Sequence, residues 1–248
     1  RAILGVHVYG LPVDLDPILT AGRERGIAVI EDAAEAHGVT YKGRPCGSLG
    51  MVSTLSFYPN KLVTSGEGGM VLTDDDVLAE RARDLRNLCF KPHPRFIHDH
   101  LGWNYRLTNL QAAVGVAQME RWDKFLAHKR EIGRTYVELL RDCAALQLPV
   151  PMTPHADNAY WVFGIVLRDG RPASEVAAAL AARGVGTRPF FAPMHQQPVF
   201  RRMGLFDGVC HPVAERIATH GLYLPSGTGI TIDEVRTAAG NLREVLGA

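Results

Sequence analysis

Short apolar segments alternate with helical patterns in the first part of the chain, and this alternation constrains the fold more than any other feature. The apolar runs occupy residues 2–8, 27–30, 54–58 and 69–73. Between them, Asp16-Pro17 predicts a helix start, Gly26 a helix end and the aspartates 74–76 a second helix start. Apolar strands that alternate with helices are typical of a sheet buried on both faces. The sequence therefore predicts an α/β first domain.

The rest of the chain has a different pattern. A loop rich in Pro, His and Arg covers 90–103, and a helical pattern then runs from Leu107 to about Asp142. We predict a large domain over 1–106, a connecting helix over 107–148 and a small α+β domain over 149–248. A Thr231-x-x-Glu234 capping box opens its last helix. Because the sequence opens without Met on a core strand, we expect the large domain to be incomplete at its N-terminus.

Charge and composition disfavour several classes of partner. The 248 residues include 27 Lys and Arg against 26 Asp and Glu, which gives a formal net charge of +1. A nucleic-acid or membrane-surface binder would need a basic excess, so we expect neither partner. No segment approaches the ~18 apolar residues of a membrane span. The cysteines form no C-x-x-C pair and no signal peptide is visible, which predicts a cytoplasmic protein with free thiols and no cysteine zinc site.

Two residues that could carry chemistry follow predicted strands. Asp32 closes the second strand, where it is either a half-buried functional acid or a helix cap. Lys61 follows the third strand and precedes the Gly-rich segment 64–69, where it is either a solvated charge or a Schiff-base lysine. The Gly-rich segment has neither the Walker A nor the dinucleotide-binding spacing. A lysine and an acid at the ends of successive strands suit pyridoxal phosphate, which needs an amine for its aldehyde and an acid at its ring nitrogen.

Other polar residues leave alternatives open. Asn104 precedes the long helical pattern and is either its cap or a phosphate ligand near the helix terminus. His93, His98 and His100 share one loop, and imidazole is a common zinc ligand. Since Asp99 is the one acid beside them, we predict a polar loop and no metal site.

Five motifs together resemble a known family. They are Glu31–Gly38, Gly47–Gly50, Ser56–Lys61, Gly66–Met70 and Gly102–Ala112. In this order they closely resemble the DegT/DnrJ/StrS sugar aminotransferases, and the resemblance extends through 188–195 to 222–225. It implies a pyridoxal-phosphate enzyme of fold type I, with a mostly parallel sheet in the large domain and a small α+β domain after it. The family's preceding segment, with a phosphate-binding turn and a stacking aromatic residue, is not found in this sequence.

The resemblance implies roles for residues around the cofactor. Lys61 would form the Schiff base and later move a proton between substrate and cofactor. Asp32 would pair with the pyridine nitrogen, and Ala34 would lie against one face of the ring. Glu35 would approach the ring hydroxyl, and Ser56 would bind the phosphate.

It also implies substrates and an assembly. Asn104 would reach the phosphate of the neighbouring subunit's cofactor, so a homodimer is expected. His195 and Arg188 would face the sugar nucleotide, although His195 is alternatively a packed loop histidine. The amino donor would be glutamate. Within the family, 60–61 and 64–69 are most similar to the branch that aminates GDP-4-keto-6-deoxymannose to perosamine for O-antigen lipopolysaccharide.

Two other functions are compatible with parts of the sequence. A dehydratase of the same fold carries a histidine in place of the Schiff-base lysine, and Lys61 argues against it. A non-catalytic or regulatory fragment would keep the fold without a complete site.

Overall fold

The computed structural model describes residues 1–91 and 93–248; Pro92, in the predicted 90–103 loop, lies outside the described residues. Contacts divide the chain into two compact units. Unit 1 comprises 1–127 and 152–161, and unit 2 comprises 128–151 and 162–248. The domain bounds drawn from the sequence stay a prediction. Where one connecting helix is expected, the structure has two, Asn109–Met119 and Trp122–Leu140.

The elements up to residue 140 largely follow the predicted alternation of strands and helices. They are β1 (Ala2–Val6), α1 (Leu15–Arg25), β2 (Ala28–Asp32), β3 (Thr40–Tyr41), β4 (Arg44–Pro45), β5 (Val52–Ser56), β6 (Gly69–Leu72), α2 (Asp76–Arg86), α3 (Asn109–Met119) and α4 (Trp122–Leu140), with a short 3-10 turn at Val8–Gly10. The later elements are β7 (Leu146–Gln147), β8 (Met152–Thr153), β9 (Ala156–Asp157), β10 (Phe163–Leu167), α5 (Ala173–Ala181), β11 (Arg188–Pro189), α6 (Pro198–Arg202), α7 (Pro212–His220), β12 (Gly221–Leu224) and α8 (Ile232–Leu246), with a 3-10 turn at Met194–Gln196.

Unit 1 is built on a four-stranded sheet in the order β1-β2-β5-β6. β1, β2 and β5 are parallel, and β6 is antiparallel to β5. The expected mostly parallel sheet is therefore confirmed. Because parallel strands end at the same edge, the segments after β2 and β5 lie side by side, which is where α/β proteins place their sites.

The start of α1 differs from the prediction. Asp14 is the residue before the helix, and Asp16-Pro17 lies inside the first turn. The Tyr41 hydroxyl fixes this end, because it donates to Asp14 Oδ1 at 2.6 Å and accepts from the Asp16 N–H at 3.1 Å. Gly26 ends the helix at a φ of 60°, as the sequence predicts.

Unit 2 has an antiparallel sheet in the order β11-β12-β10-β7. Tyr136 of α4 is fully buried, stacks on Phe163 of β10 at 4.7 Å and donates its hydroxyl to the Pro225 carbonyl at 2.9 Å. The capping box predicted at Thr231 and Glu234 is present at the start of α8. Among the described residues, no helix combines the length and the hydropathy needed to traverse a lipid bilayer.

Candidate active site

Asp32 stands at the carboxyl end of β2, opposite Thr54 of β5 in the register. Its Oδ1 accepts hydrogen bonds from the Ala34 N–H at 3.0 Å and from the Thr54 hydroxyl at 3.3 Å. Its Oδ2 accepts none from the residues that the structure describes. A turn and not a helix follows β2, so the helix-cap interpretation of Asp32 is wrong. The carboxylate is held by one oxygen, and the other is available to a ligand.

Lys61 lies in a turn after β5, and its N–H donates to the Tyr58 carbonyl at 3.0 Å. Only 10% of its side chain is exposed, and Nζ lies 3.6 Å from Glu35 Oε1. The structure therefore does not support a solvated surface charge at this position. Asp32 is near enough to favour the charged form of the lysine. The predicted acid and the predicted lysine are thus brought to one site.

Glu35 is the third member of this site. Its Oε2 accepts the N–H of Tyr9 at 2.8 Å. Burial raises the pKa of Glu35, against the opposing effects of the Tyr9 N–H and Lys61. Burial also lowers the pKa of Lys61, although the nearby carboxylates of Glu35 and Asp32 act in the opposite direction. Both shifts narrow the difference between the two pKa values, which favours transfer of a proton between Glu35 and Lys61.

Glu31, next to Asp32 but on the other face of β2, forms a buried anchor that the sequence analysis missed. Its carboxylate accepts the N–H groups of Gly47, Leu49 and Gly50 at 2.5, 2.9 and 3.2 Å. It also accepts the Ser53 hydroxyl and His7 Nε2. A charged residue inside an apolar strand was the signal available in the sequence.

Hydrogen bonding keeps Glu31 ionised. Burial alone would raise its pKa, but the bonds from His7 and from the backbone of 47–50 outweigh it and lower the pKa to about 2. The Val13 N–H donates to His7 Nδ1, so the His7 proton is on Nε2 and points to Glu31. This anchor fixes the backbone that carries Asp32.

His7, Glu31 and Cys46 place one potential metal-ligand atom each within 4.8 Å of one another. However, both His7 nitrogens are already bonded and Glu31 accepts five hydrogen bonds. Burial raises the pKa of the Cys46 thiol to about 12, which disfavours the thiolate that a metal would need. We therefore infer that this cluster has a structural role and does not bind a metal ion.

Two further aromatic residues border Lys61, and the sequence analysis missed both. The Trp161 ring centroid lies 4.2 Å from Lys61 Nζ. His37 is 7% exposed, and neither ring nitrogen has a hydrogen-bond partner among the described residues. Burial and the positive charge of Lys61 lower the pKa of His37 to about 4. Trp161 is far along the chain, so no local signal could have placed it here.

The other residues predicted around the cofactor lie in unit 1. Ser56 ends β5 and accepts the Tyr58 N–H at 3.3 Å, and half-buried Ala34 lies in the turn after Asp32. Asn104 is exposed and accepts from Arg106 Nε at 2.8 Å. Thr108, with a complete capping box to Gln111, caps α3. The helix-cap interpretation of Asn104 is therefore wrong.

His195 and Arg188 belong to unit 2. His195 is buried, and its Nε2 lies 2.8 Å from Glu215 Oε1. The ring also meets His211 edge-on, with centroids 4.9 Å apart. Arg188 is exposed on β11. These contacts fit the packed-loop alternative for His195 as well as an oriented imidazole, and both substrate roles stay predictions.

Residues 1–243 match the model of the DegT/DnrJ/EryC1/StrS aminotransferase family. The chain belongs to this family. The resemblance carried by the five motifs is thereby confirmed.

Curated relatives are similar along nearly the whole chain. It is 38% identical to GDP-perosamine synthase of Caulobacter vibrioides over 99% of its own length and 66% of the relative's. It is 37% identical to GDP-perosamine synthase of Escherichia coli O157:H7, over 95% of its length and 63% of the relative's. The chain thus spans somewhat less than two thirds of the length of these relatives.

A solved structure supports the same fold. The crystal structure of S. venezuelae DesV, in complex with a ketimine intermediate, superposes with a TM-score of 0.88 at 31% identity. The match covers 100% of this chain and 66% of DesV. The predicted fold class, that of the sugar aminotransferases, is confirmed by this likeness.

Proposed function

We propose that the whole protein is a pyridoxal-phosphate-dependent aminotransferase that passes an amino group to a keto sugar nucleotide. One observation carries this proposal: a largely buried lysine and an aspartate with an uncommitted oxygen lie near each other at the carboxyl edge of the parallel strands. Membership of the aminotransferase family and similarity to GDP-perosamine synthases support it.

The donor set at this edge suits pyridoxal phosphate. The cofactor carries an aldehyde, a ring nitrogen and a phosphate, and it serves as an electron sink when bound. Lys61 offers the amine for the aldehyde, and Asp32 Oδ2 is available to accept a hydrogen bond from the protonated ring nitrogen. The Ser56 hydroxyl uses its oxygen as an acceptor for Tyr58 and keeps its own proton to donate to a phosphate oxygen.

Lys61 and Glu35 supply the proton chemistry. Burial lowers the pKa of Lys61, so a larger fraction of its amine is neutral and available as a nucleophile and proton acceptor. Glu35, 3.6 Å away, is able to hold the proton that Nζ releases. Asp32 is anchored through Oδ1, so it keeps one orientation and Oδ2 would be free to hold the cofactor's ring nitrogen. The role of Glu35 at the ring hydroxyl remains part of the proposal.

The similarity to GDP-perosamine synthases favours GDP-4-keto-6-deoxymannose as acceptor, with glutamate as donor. We further propose a homodimer in which Asn104 serves the partner's cofactor. Asn104 is exposed, and large apolar side chains around it are exposed as well: Leu101, Tyr105 and Leu110. Such a patch is typical of a protein interface.

Borohydride trapping tests the role of Lys61. The whole protein mixed with pyridoxal phosphate is expected to gain a visible absorbance band, and borohydride should fix the cofactor to the Lys61 peptide in a mass spectrum. Lys61→Ala should lose both signals, while exposed Lys124→Ala should keep them. Labelling of Lys61→Ala at wild-type level, or no band in the whole protein, would exclude the proposed function.

A thermal-shift panel tests the acceptor. Because a ligand that binds only the folded state raises its stability, the correct nucleotide sugar should raise Tm most. We expect GDP sugars to stabilise the whole protein and UDP or dTDP sugars to leave Tm near its starting value. Selective stabilisation by a UDP or dTDP sugar would overturn the perosamine assignment and keep the aminotransferase.

A further inference from the structure

Two side chains lie close to Lys61 Nζ and favour its positive charge, in addition to the longer-range effect of Asp32. On one side is Glu35 Oε1 at 3.6 Å, and on another is the indole of Trp161, whose centroid is 4.2 Å away. A cation over an indole face is attracted by the negative potential of the ring, and the attraction grows when water is excluded. Only 10% of the Lys61 side chain and 7% of Trp161 are exposed. This contact is therefore largely shielded from solvent.

Trp161 is held in a fixed orientation by its neighbours. Its Nε1–H donates to the Asn60 carbonyl at 2.9 Å, and its ring stacks on Tyr9 with centroids 6.0 Å apart and an angle of 25°. Asn60 immediately precedes Lys61. The indole is therefore tied to the same stretch of backbone that carries the lysine, which fixes its distance from the Lys61 backbone.

Gly10 allows the approach of Trp161. Its φ is +86°, and a Cβ built on it would lie 2.9 Å from the backbone nitrogen of Trp161 and 3.3 Å from the Glu35 carbonyl oxygen. The Ala159 N–H donates to the Gly10 carbonyl at 3.3 Å, and the Tyr9 N–H donates to Glu35. The turn at 8–10 is thus hydrogen-bonded both to Glu35 and to the segment before Trp161, and so holds the two neighbours of Lys61 close to each other.

We propose that Trp161 is a positioning residue that holds the free Lys61 ε-ammonium between its indole face and the Glu35 carboxylate. The consequence for amino transfer rests on the proposed function. During amino transfer, the Lys61 amine, when it is not covalently bound, would return to the same position beside the Trp161 indole and would exchange its proton with Glu35. The contact itself is a property of this chain and can be tested without cofactor or substrate.

Competitive labelling of the cofactor-free chain tests the proposal. Acetic anhydride reacts only with the neutral amine, so the pH dependence of labelling of the Lys61 peptide gives its apparent pKa, with exposed Lys124 as internal reference. The chain is produced with tryptophan that carries one, two or three ring fluorines, which weaken the negative face and change the shape little. We expect the apparent pKa of Lys61 to fall stepwise, by about half to one pH unit in total.

The matched control carries Trp161→Phe and is labelled with the same fluorinated tryptophans at Trp103 and Trp122. It should show no graded change, because among the described residues the indole in cation–π contact with Lys61 is that of Trp161. A flat series in the parent chain, or an equal series in the control, would overturn the proposal. A merely structural role of Trp161 would not produce a trend that follows fluorine number.

The outcome is separable from that of the proposed function. A graded shift in a protein that fails borohydride trapping would support the Trp161 contact and exclude the aminotransferase. A flat series in a protein that is trapped at Lys61 would overturn the Trp161 role and leave the aminotransferase standing.

Discussion

At the scale of single residues, the site consists of ionisable groups whose state is set by burial and by their partners. Glu31 stays charged because five donors surround it, whereas His37 is buried without a hydrogen-bond partner among the described residues. A buried polar group without a partner costs stability, and its protonated form costs more. His37 therefore makes the folded state sensitive to acid.

The effect of pH on His37 has a definite sign. Burial and Lys61 lower its pKa from 6.5 to about 4, so below pH 6.5 the unfolded chain binds a proton that the folded chain refuses. About 3 kcal/mol of stability is lost as the pH falls from about 6.5 to about 4. We expect His37→Leu to remove most of this loss and to be more stable than the parent at pH 5.

Urea unfolding at pH 7.5 and at pH 5 measures the effect. The control is His100→Leu, because His100 is exposed and its removal leaves the buried imidazole of His37 in place. If His37→Leu loses as much stability between the two pH values as the parent does, then the acid sensitivity does not come from a buried, neutral His37.

At the scale of elements, short turns and not the strands position the site. The turn at 8–10 carries Tyr9 to Glu35 and lets Trp161 approach, and the turn after β5 carries Lys61. Both turns are loops supported by a parallel sheet, which is the usual arrangement for functional residues. Changes in these turns should therefore alter the site without removing the sheet.

Gly10→Ala and Gly26→Ala form a matched pair. Both glycines have positive φ, +86° and +60°, but a Cβ at Gly26 meets nothing within 4 Å, whereas at Gly10 it meets Trp161 at 2.9 Å. Gly26→Ala should cost about 1–2 kcal/mol from backbone strain alone. Gly10→Ala should cost clearly more and should also shift the fluorescence of Trp161.

Equilibrium unfolding and emission spectra of the two variants check this expectation. Equal losses of stability with unchanged emission would mean that the backbone at Gly10 is not in close contact with Trp161.

At the scale of the whole molecule, the proposed dimer predicts complementation between subunits. If Asn104 serves the partner's site, a hybrid of Lys61→Ala and Asn104→Ala subunits has one site with both native residues. Each variant alone should be inactive. Random co-assembly should restore about a quarter of the wild-type activity.

Co-expression of the two differently tagged variants, followed by an amino-transfer assay, tests the arrangement. If hybrids selected through both tags show no amino-transfer activity, then Asn104 acts within its own subunit or not at all. A Lys61→Ala subunit paired with a Lys61→Ala, Asn104→Ala subunit serves as the control, since it has no site with a native lysine.

The sequence by itself determined which polar residues lie at or shortly after the ends of the parallel strands. Asp32 and Lys61 follow apolar runs, and parallel strands must end at one edge, so their proximity could be predicted from the alternation of elements. The Thr231–Glu234 capping box was equally local. The predicted bounds of α1 and of the long helix failed because Tyr41 fixes one end and a break near 120–121 divides the other.

Only the tertiary structure decided what surrounds the lysine. Trp161, Tyr9 and Glu35 come from three separate segments, and their meeting depends on a positive-φ glycine and on backbone hydrogen bonds between loops. Such contacts leave no periodicity in the sequence, because each depends on the relative placement of segments far apart along the chain. Asp32 and Lys61 can therefore be identified from the sequence around each of them, whereas the environment that sets their protonation arises from tertiary packing.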